Sequence, residues 1–139
     1  MVKGKKMDIR IIGNPVAQGR PRAFRRGKFI GMYDPKQSKD WKSIVAFQAK
    51  QQLNGNKLLE GELQMNLLFL MPRPKGIKKD IFRHTKKPDL DNLCKAIKDA
   101  LKDICYKDDS QICVLQSEKR YIYTILPEEP GVMIEIFTL

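Results

Sequence analysis

The sequence predicts an α/β chain of the α+β type, with a mixed β-sheet and two main helices packed on it, in the order β-β-α-β-α-β-β. Three observations predict this class. Strict alternation of apolar side chains marks strands, an apolar side chain every fourth residue marks helices, and the two kinds of segment alternate along the chain. With 139 residues, 42% of them hydrophobic, and no repeat or long linker, we expect one domain covering 1–139.

The first third of the chain is predicted to hold two strands and a helix. Asp8–Gly13 alternates as a first strand, Asn14–Gly27 is a basic loop, and Lys28–Tyr33 is a short second strand. Asp34-Pro35-Lys36-Gln37 is a typical helix start, with Asp34 as the N-cap and proline at the first helical position. The helix continues with an apolar ridge and ends at Asn54-Gly55-Asn56, since both residue types tolerate a left-handed cap. The ridge consists of Trp41, Val45, Ala49 and Leu53.

The remainder is predicted to hold three strands and a second helix. Leu63–Met71 alternates strictly and is stopped by prolines. A basic loop leads to a helix over Asp89–Ile104, followed by a strand over Gln111–Tyr123. After a turn at Pro127–Gly131, the last strand covers Val132–Phe137.

The charge of the chain is large and unevenly distributed. The net charge is +11, and residues 1–50 hold thirteen cations against three acids, while residues 73–87 hold seven against one. Such a segregated positive field attracts polyanions, because cations near phosphates release condensed counterions. We therefore expect nucleic acid as the partner, with a merely solubilising basic surface as the alternative.

Several other classes of protein are disfavoured. The longest apolar run, Leu67–Met71, is too short to span a membrane, and no apolar segment follows the charged start, so we expect a cytoplasmic protein without a membrane partner. The single histidine and the spacing of three cysteines fit no zinc site, and we expect the cysteines to be small core residues. The chain has no phosphate-loop pattern, so no nucleotide cofactor is expected.

An acidic cluster is the main candidate for chemistry. Six of the ten aspartates lie between residues 89 and 109, where no glutamate occurs. Asp91 and Lys95, four residues apart, share the outward stripe of the second helix, opposite its apolar face. The bland alternative makes Asp89 a helix cap, Asp91 a first-turn acid paired with Lys95, and Asp108-Asp109-Ser110 an ordinary turn. The two aspartate pairs can meet only if the following strand returns beside the start of the helix.

The block Lys87–Leu101, read KPDLDNLCKAIKDAL, together with Asp108-Asp109-Ser110-Gln111-Ile112, resembles the RusA family of Holliday junction resolvases of phages and prophages. Ser117–Tyr121 resembles the strand that follows in that family, and Gly19-Arg20-Pro21-Arg22 resembles its basic N-terminal loop. The acidic block is specific, whereas the Arg-Pro-Arg loop alone is weak.

The resemblance implies an Mg²⁺-dependent endonuclease, also supported by Mn²⁺, that acts as a homodimer on four-way DNA junctions in recombination and repair. By resemblance, Asp89, Asp91 and Asp109 are catalytic metal ligands and Lys95 is the catalytic lysine. Asp108 is a further metal ligand, with only one of the tandem pair needed at the metal. Residues expected to bind DNA are Arg20, Arg22, Lys87 and Lys119.

Two rival functions and the dimer interface stay open from the sequence. A basic binding module with structural acids is one rival, and a nuclease for flaps or other branched DNA is the other. Two matched nicks in a two-fold symmetric junction need two active sites, which favours a homodimer. The candidate interfaces are Leu67–Met71, with its two-sided apolar character, and Val132–Phe137 as an edge strand.

Overall fold

The fold is an α+β sandwich in which a mixed four-stranded sheet carries two helices, as predicted. The computed structural model describes residues 4–123, 125 and 128–139; Pro127, at the predicted turn, lies outside them. The strands of the main sheet, in spatial order, are β1 (Lys6–Ile12), β6 (Gly131–Thr138), β4 (Leu63–Met71) and β5 (Ile112–Tyr121). Neighbouring strands are antiparallel except β4 and β5, which are parallel.

The helices α1 (Lys36–Leu53) and α2 (Leu90–Ala100) cover one face of this sheet. Their apolar stripes and alternate residues of the strands form a single buried core. Cys94 and Cys105 belong to this core, as predicted, and burial raises the pKa of the Cys105 thiol to about 12, but Cys113 is exposed. The opposite sheet face is more polar and forms a shallow groove of about 800 Å³ away from the acidic cluster. Among the described residues, neither helix combines the length and the hydrophobicity that a bilayer-spanning segment needs.

A separate hairpin precedes α1 and corrects the expected loop over Asn14–Gly27. Its strands are β2 (Arg22–Arg26) and β3 (Phe29–Tyr33), which form an antiparallel two-stranded sheet of their own among the described residues. The observed order therefore has one strand more than predicted. β2 lacks the apolar–polar alternation of a half-buried strand because all of its residues are exposed.

Two helix ends differ from the prediction. Asp34 is not the N-cap of α1; that position is Pro35, and the Asp34 carboxylate instead accepts a hydrogen bond from Lys42 Nζ at 2.7 Å, which lowers its pKa. The second helix ends at Ala100 rather than Ile104. The chain turns beyond that point, where Asp103 adopts a left-handed conformation with φ of 63°. At the other end of α1, left-handed Asn54 is the C-cap, as predicted.

The two expected dimer interfaces lie inside the sheet. Val132–Phe137 is not an edge strand, because β6 pairs with β1 on one side and β4 on the other. In Leu67–Met71 every residue except Leu68 is buried. At the start of β6, Gly131 allows close approach, since a Cβ atom there would overlap the Ile11 carbonyl oxygen.

The outer edge of β1 is covered by side chains of α1. Gln52 accepts a hydrogen bond from the Arg10 backbone N–H and donates one to the Arg10 carbonyl, at 2.9 and 2.7 Å. Gln48 does the same for Ile12, at 2.8 Å in each direction. One turn apart on the helix, the two amides reproduce the hydrogen bonds of a neighbouring strand. The second half of the β1 edge is therefore occupied.

An ion pair closes the connection between β5 and β6. Arg120, only 7% exposed, donates to both carboxylate oxygens of Glu128, at 3.0 and 2.8 Å. Its guanidinium also lies 4.2 Å from the centre of the Tyr123 ring. Arg120 holds the pKa of Glu128 below its usual value through these hydrogen bonds.

We expect Glu128→Ala to lower the free energy of unfolding by about 3 kcal/mol, because it leaves a buried guanidinium without its partner. Asp40→Ala, which breaks the exposed Lys36–Asp40 pair, is the matched control and should cost about 0.5 kcal/mol or less. Urea unfolding monitored by circular dichroism measures both changes, and equal losses would contradict the assignment.

The same variant has an expected pH dependence. The folded pKa of Glu128 lies below its unfolded value near 4.5. The stabilisation that the Arg120–Glu128 pair gives the folded state is therefore fully present above that pH and is lost as the pH falls through the folded pKa. The difference in free energy of unfolding between wild type and Glu128→Ala, measured by the same urea unfolding, should therefore shrink as the solution is acidified.

Candidate active site

The first turn of α2 presents two carboxylates that are largely uncommitted. Asp89 is the N-cap residue, yet its side chain makes no capping hydrogen bond. Its closest ionic contact is the exposed Lys87 ammonium, at 3.5 Å. Asp91 is exposed, and one of its oxygens accepts the backbone N–H of Asn92 at 2.9 Å. The capping alternative is therefore wrong for the Asp89 side chain, and most oxygen lone pairs of this pair are available to a ligand.

Lys95 lies one turn beyond Asp91 on the exposed face of α2, as predicted. The pairing of Asp91 with Lys95 expected from the bland alternative is absent, since the ion pairs of the described residues include none between them. Two carboxylates and one ammonium therefore occupy one end and one face of the helix without neutralising each other directly.

Lys119 fixes the segment that leads into α2. From β5, its ammonium donates to the carbonyl oxygens of Lys86 and Pro88, each at 2.7 Å. These bonds join the strand to the backbone immediately before Asp89. The sequence predicts a DNA contact for Lys119. It does not reveal this positioning role, because the role depends on hydrogen bonds between residues about thirty positions apart.

The second aspartate pair lies after α2, at the start of β5. Asp108 is the N-cap of a 3-10 turn (Asp109–Gln111), accepts the Ser110 N–H at 3.0 Å and has a lowered pKa because of that bond. The Gln111 side chain completes a capping box by accepting the Asp108 N–H. Asp108 thus has the structural task that the turn alternative expects, whereas half-buried Asp109 makes no capping bond of this kind.

Within the chain, the two aspartate pairs lie at opposite ends of α2. The helix between them has eleven residues and is about 16 Å long, at 1.5 Å per residue. The end of β5, not its start, returns beside the beginning of α2, as the Lys119 contacts show. In the described part of the chain, no group of three or more histidine, cysteine, aspartate or glutamate side chains is arranged to hold a metal ion.

Three of the four basic residues predicted to bind DNA are accessible, and the fourth, Lys119, uses its ammonium in hydrogen bonds to the backbone. Arg20, Arg22 and Lys87 are exposed. The segment carrying Arg20 is attached to α2, because the Gln18 N–H donates to the Asn92 carbonyl at 2.9 Å. This bond joins the basic N-terminal segment to the turn of α2 that holds Asp91.

Comparison with known proteins agrees with the family resemblance. The sequence profile of the endodeoxyribonuclease RusA family matches residues 13–137. The chain is also 38% identical, over 136 residues, to the uncharacterised protein YqaN of Bacillus subtilis (strain 168). The aligned region covers 91% of this chain and 92% of YqaN. The profile spans both aspartate pairs and the basic N-terminal segment. The chain therefore belongs to the RusA family of endodeoxyribonucleases.

Proposed function

We propose that this protein is a divalent-metal-dependent endonuclease that resolves four-way DNA junctions by paired nicks in recombination and repair. The observation that supports this best is the start of α2. The Asp89 carboxylate makes no capping bond there, Asp91 uses one oxygen on the Asn92 N–H, and Lys95 lies one turn away. The exposed cations around this end of the helix suit a DNA backbone. Family membership supports the nuclease class.

The donor set at the start of α2 fits Mg²⁺. Hard divalent cations prefer carboxylate and water oxygens, and Mg²⁺ is commonly held by one or two carboxylates together with substrate phosphates. Asp89 and Asp91 would supply the carboxylates, and Mn²⁺ suits the same oxygens. When bound, the ion supplies activation of a water nucleophile and neutralises phosphate charge.

The protein's own residues have separable tasks in this proposal. Asp89 and Asp91 would hold the scissile phosphate near the helix end only when their negative charge is compensated, because carboxylates otherwise repel DNA. Lys95 would place its ammonium against the negative charge that develops at the phosphate or on the leaving 3′ oxygen. Arg20, Arg22 and Lys87 would bind flanking phosphates and fix the orientation of the DNA.

We propose that the active form is a homodimer joined through β5. The main sheet has two edge strands, and the edge of β1 is already covered at Arg10 and Ile12 by side chains of α1. The middle of β5 is exposed and includes Val114 and Leu115, which are 39% and 41% exposed. The last part of this edge is already bridged by Phe82 and Arg83. A second copy pairing with the middle of β5 would satisfy the remaining edge and cover these apolar side chains.

Such pairing also offers a place for the second aspartate pair. Two β5 strands related by a two-fold axis run antiparallel, so the start of one lies beside the end of the other. Asp109 precedes the start of β5, whereas Asp89 is tied to its end through Lys119. We therefore propose that Asp109 of one protomer acts with Asp89 and Asp91 of the other. Asp108 remains a metal-ligand candidate, although its side chain caps the 3-10 turn.

The wild-type protein should cut labelled four-way junctions in the presence of Mg²⁺ and leave linear duplex and flap DNA largely uncut. Asp91→Asn should still bind junctions while its cleavage rate falls by about a thousandfold or more, because an interaction realised in the transition state is lost. Asp40→Asn, the same charge change on α1, is the control and should cleave normally. Preferential cutting of flaps would favour the broader nuclease, and binding without cleavage would favour the binding module.

Mixing Asp91→Asn with Asp109→Asn tests the shared site. Each variant alone should be inactive, but random exchange of subunits should restore nicking to about a quarter of the wild-type number of sites, since half of the dimers then hold one intact site. Mixtures that stay inactive would place both aspartates in one protomer. Activity of Asp109→Asn alone would remove Asp109 from the site.

Lys119→Gln separates a positioning role from DNA binding. If Lys119 orients Asp89, the variant should need more Mg²⁺ for half-maximal cleavage while the slope of log affinity against log salt stays constant. Lys87→Gln is the contrast, because losing one phosphate contact should reduce that slope by about one. A reduced slope for Lys119→Gln with unchanged Mg²⁺ dependence would instead assign Lys119 to DNA.

A further inference from the structure

The hairpin formed by β2 and β3 has two different faces. Antiparallel register places Arg22 opposite Tyr33, Phe24 opposite Gly31 and Arg26 opposite Phe29, all on one face. We call this the aromatic face; it consists of Arg22, Phe24, Arg26, Phe29, Gly31 and Tyr33. The other face carries Ala23, Arg25, Ile30 and Met32.

Three rings form a continuous row along the aromatic face. The centre of Phe24 lies 5.9 Å from that of Phe29 and 6.1 Å from that of Tyr33. Gly31 makes room for the middle ring, because a Cβ atom there would lie within 2.6 Å of Phe24. These edge-tilted contacts hold the rings in place across the strands. The row is therefore ordered by the hairpin itself.

The row is exposed although the protein has a well-filled core. Phe29 is 62% and Tyr33 47% exposed, and every residue of the two strands except Gly31 is exposed. A two-stranded hairpin is marginally stable on its own, and covering its exposed aromatic surface would stabilise it. A binding partner for this face is therefore expected.

Charge identifies the chemistry of the partner. Residues 9–33 contain six cations and no acid, and Arg22 and Arg26 flank the ring row. Aromatic rings interleaved with arginines are suited to unpaired nucleic acid, whose bases stack on rings while its phosphates pair with arginine. In the grooves of a duplex only the edges of the bases are accessible, so the rings of this face would find no base face to stack on there.

The hairpin is held next to the candidate active site. At its N-terminal base, Ser38 of α1 accepts the Gly19 N–H at 2.8 Å and donates to the Ala17 carbonyl at 3.1 Å. The neighbouring Gln18 N–H bonds to Asn92, beside Asp91. At the other base, Asp34 is paired with Lys42. The hairpin is thus attached to both helices.

From these observations we propose that the aromatic face stacks on bases exposed at the branch point of DNA, while Arg22 and Arg26 bind the adjoining phosphates. This inference rests on the proposed function, for which it names the element that distinguishes branched from continuous DNA. In a continuous duplex the bases are stacked on each other and offer no free face to the rings. The preference for branched DNA should then depend on the rings rather than on charge alone.

The test compares the two faces of one hairpin. Phe29→Ser/Tyr33→Ser removes two rings of the aromatic face, and Ile30→Ser/Met32→Ser removes two similarly exposed apolar side chains of the other face. Binding is measured in EDTA, so that no DNA is cut, with a four-way junction carrying 2-aminopurine at the branch point and with a linear duplex of equal length. Circular dichroism and sedimentation confirm the fold and the oligomeric state.

The aromatic-face variant should bind the junction about tenfold or more weakly and lose the change in 2-aminopurine fluorescence, since one stacked base corresponds to roughly a five- to 150-fold effect. Duplex binding and the other-face variant should match wild type. Phe29→Trp/Tyr33→Trp should restore both signals, which separates loss of stacking from loss of folding.

Three results would overturn the inference. Two are equal losses of junction binding for the variants of both faces, or no loss for either. The third is a dimer that dissociates only in the aromatic-face variant, which would make the face a subunit interface. The outcome is distinguishable from failure of the proposed function. If junctions are cut with Mg²⁺ but binding ignores the rings, only this inference fails. If ring-dependent fluorescence changes persist without any cleavage, only the nuclease proposal fails.

Discussion

The parallel pairing of β4 with β5 is the constraint on which the arrangement of this protein depends. Parallel neighbours need a crossover, and here the crossover is α2, which runs back across the sheet from the end of β4 toward the start of β5. One end of α2 must therefore lie at each end of these strands. The same constraint brings the end of β5 beside Asp89 and sends Asp109 to the far end, so the two aspartate pairs are separated by topology rather than by local conformation.

Local patterns predicted those parts of the fold whose side chains alternate between core and solvent. Leu63–Met71 and the ridge from Trp41 to Leu53 are buried as their periods indicate. β2 was not predicted because both of its faces are exposed, so its apolar side chains do not alternate with polar ones. For a different reason the interior position of β6 was not predicted either, since strand order is set by contacts between distant segments such as Gly131 and Ile11.

The candidate site divides in the same way. Asp91 and Lys95 share a face because a helix places residues four apart on one side, and this follows from the sequence. That Asp89 leaves its N-cap hydrogen bond unmade, while Asp108 makes its own, depends on side-chain geometry that spacing does not determine. The bonds from Lys119 to the backbone before Asp89 join segments about thirty residues apart, so no local motif announces them.

The two glutamines on α1 also have a consequence for how the chain folds. The outer backbone groups of Arg10 and Ile12 in β1 are satisfied only while Gln48 and Gln52 lie against them, so this half of the strand is protected from pairing with other chains only after α1 has docked. In a partly folded chain with α1 detached, β1 would be an open template flanked by its apolar residues Met7, Ile9 and Ile11. Docking of α1 therefore acts as a safeguard against aggregation as well as a contribution to the core.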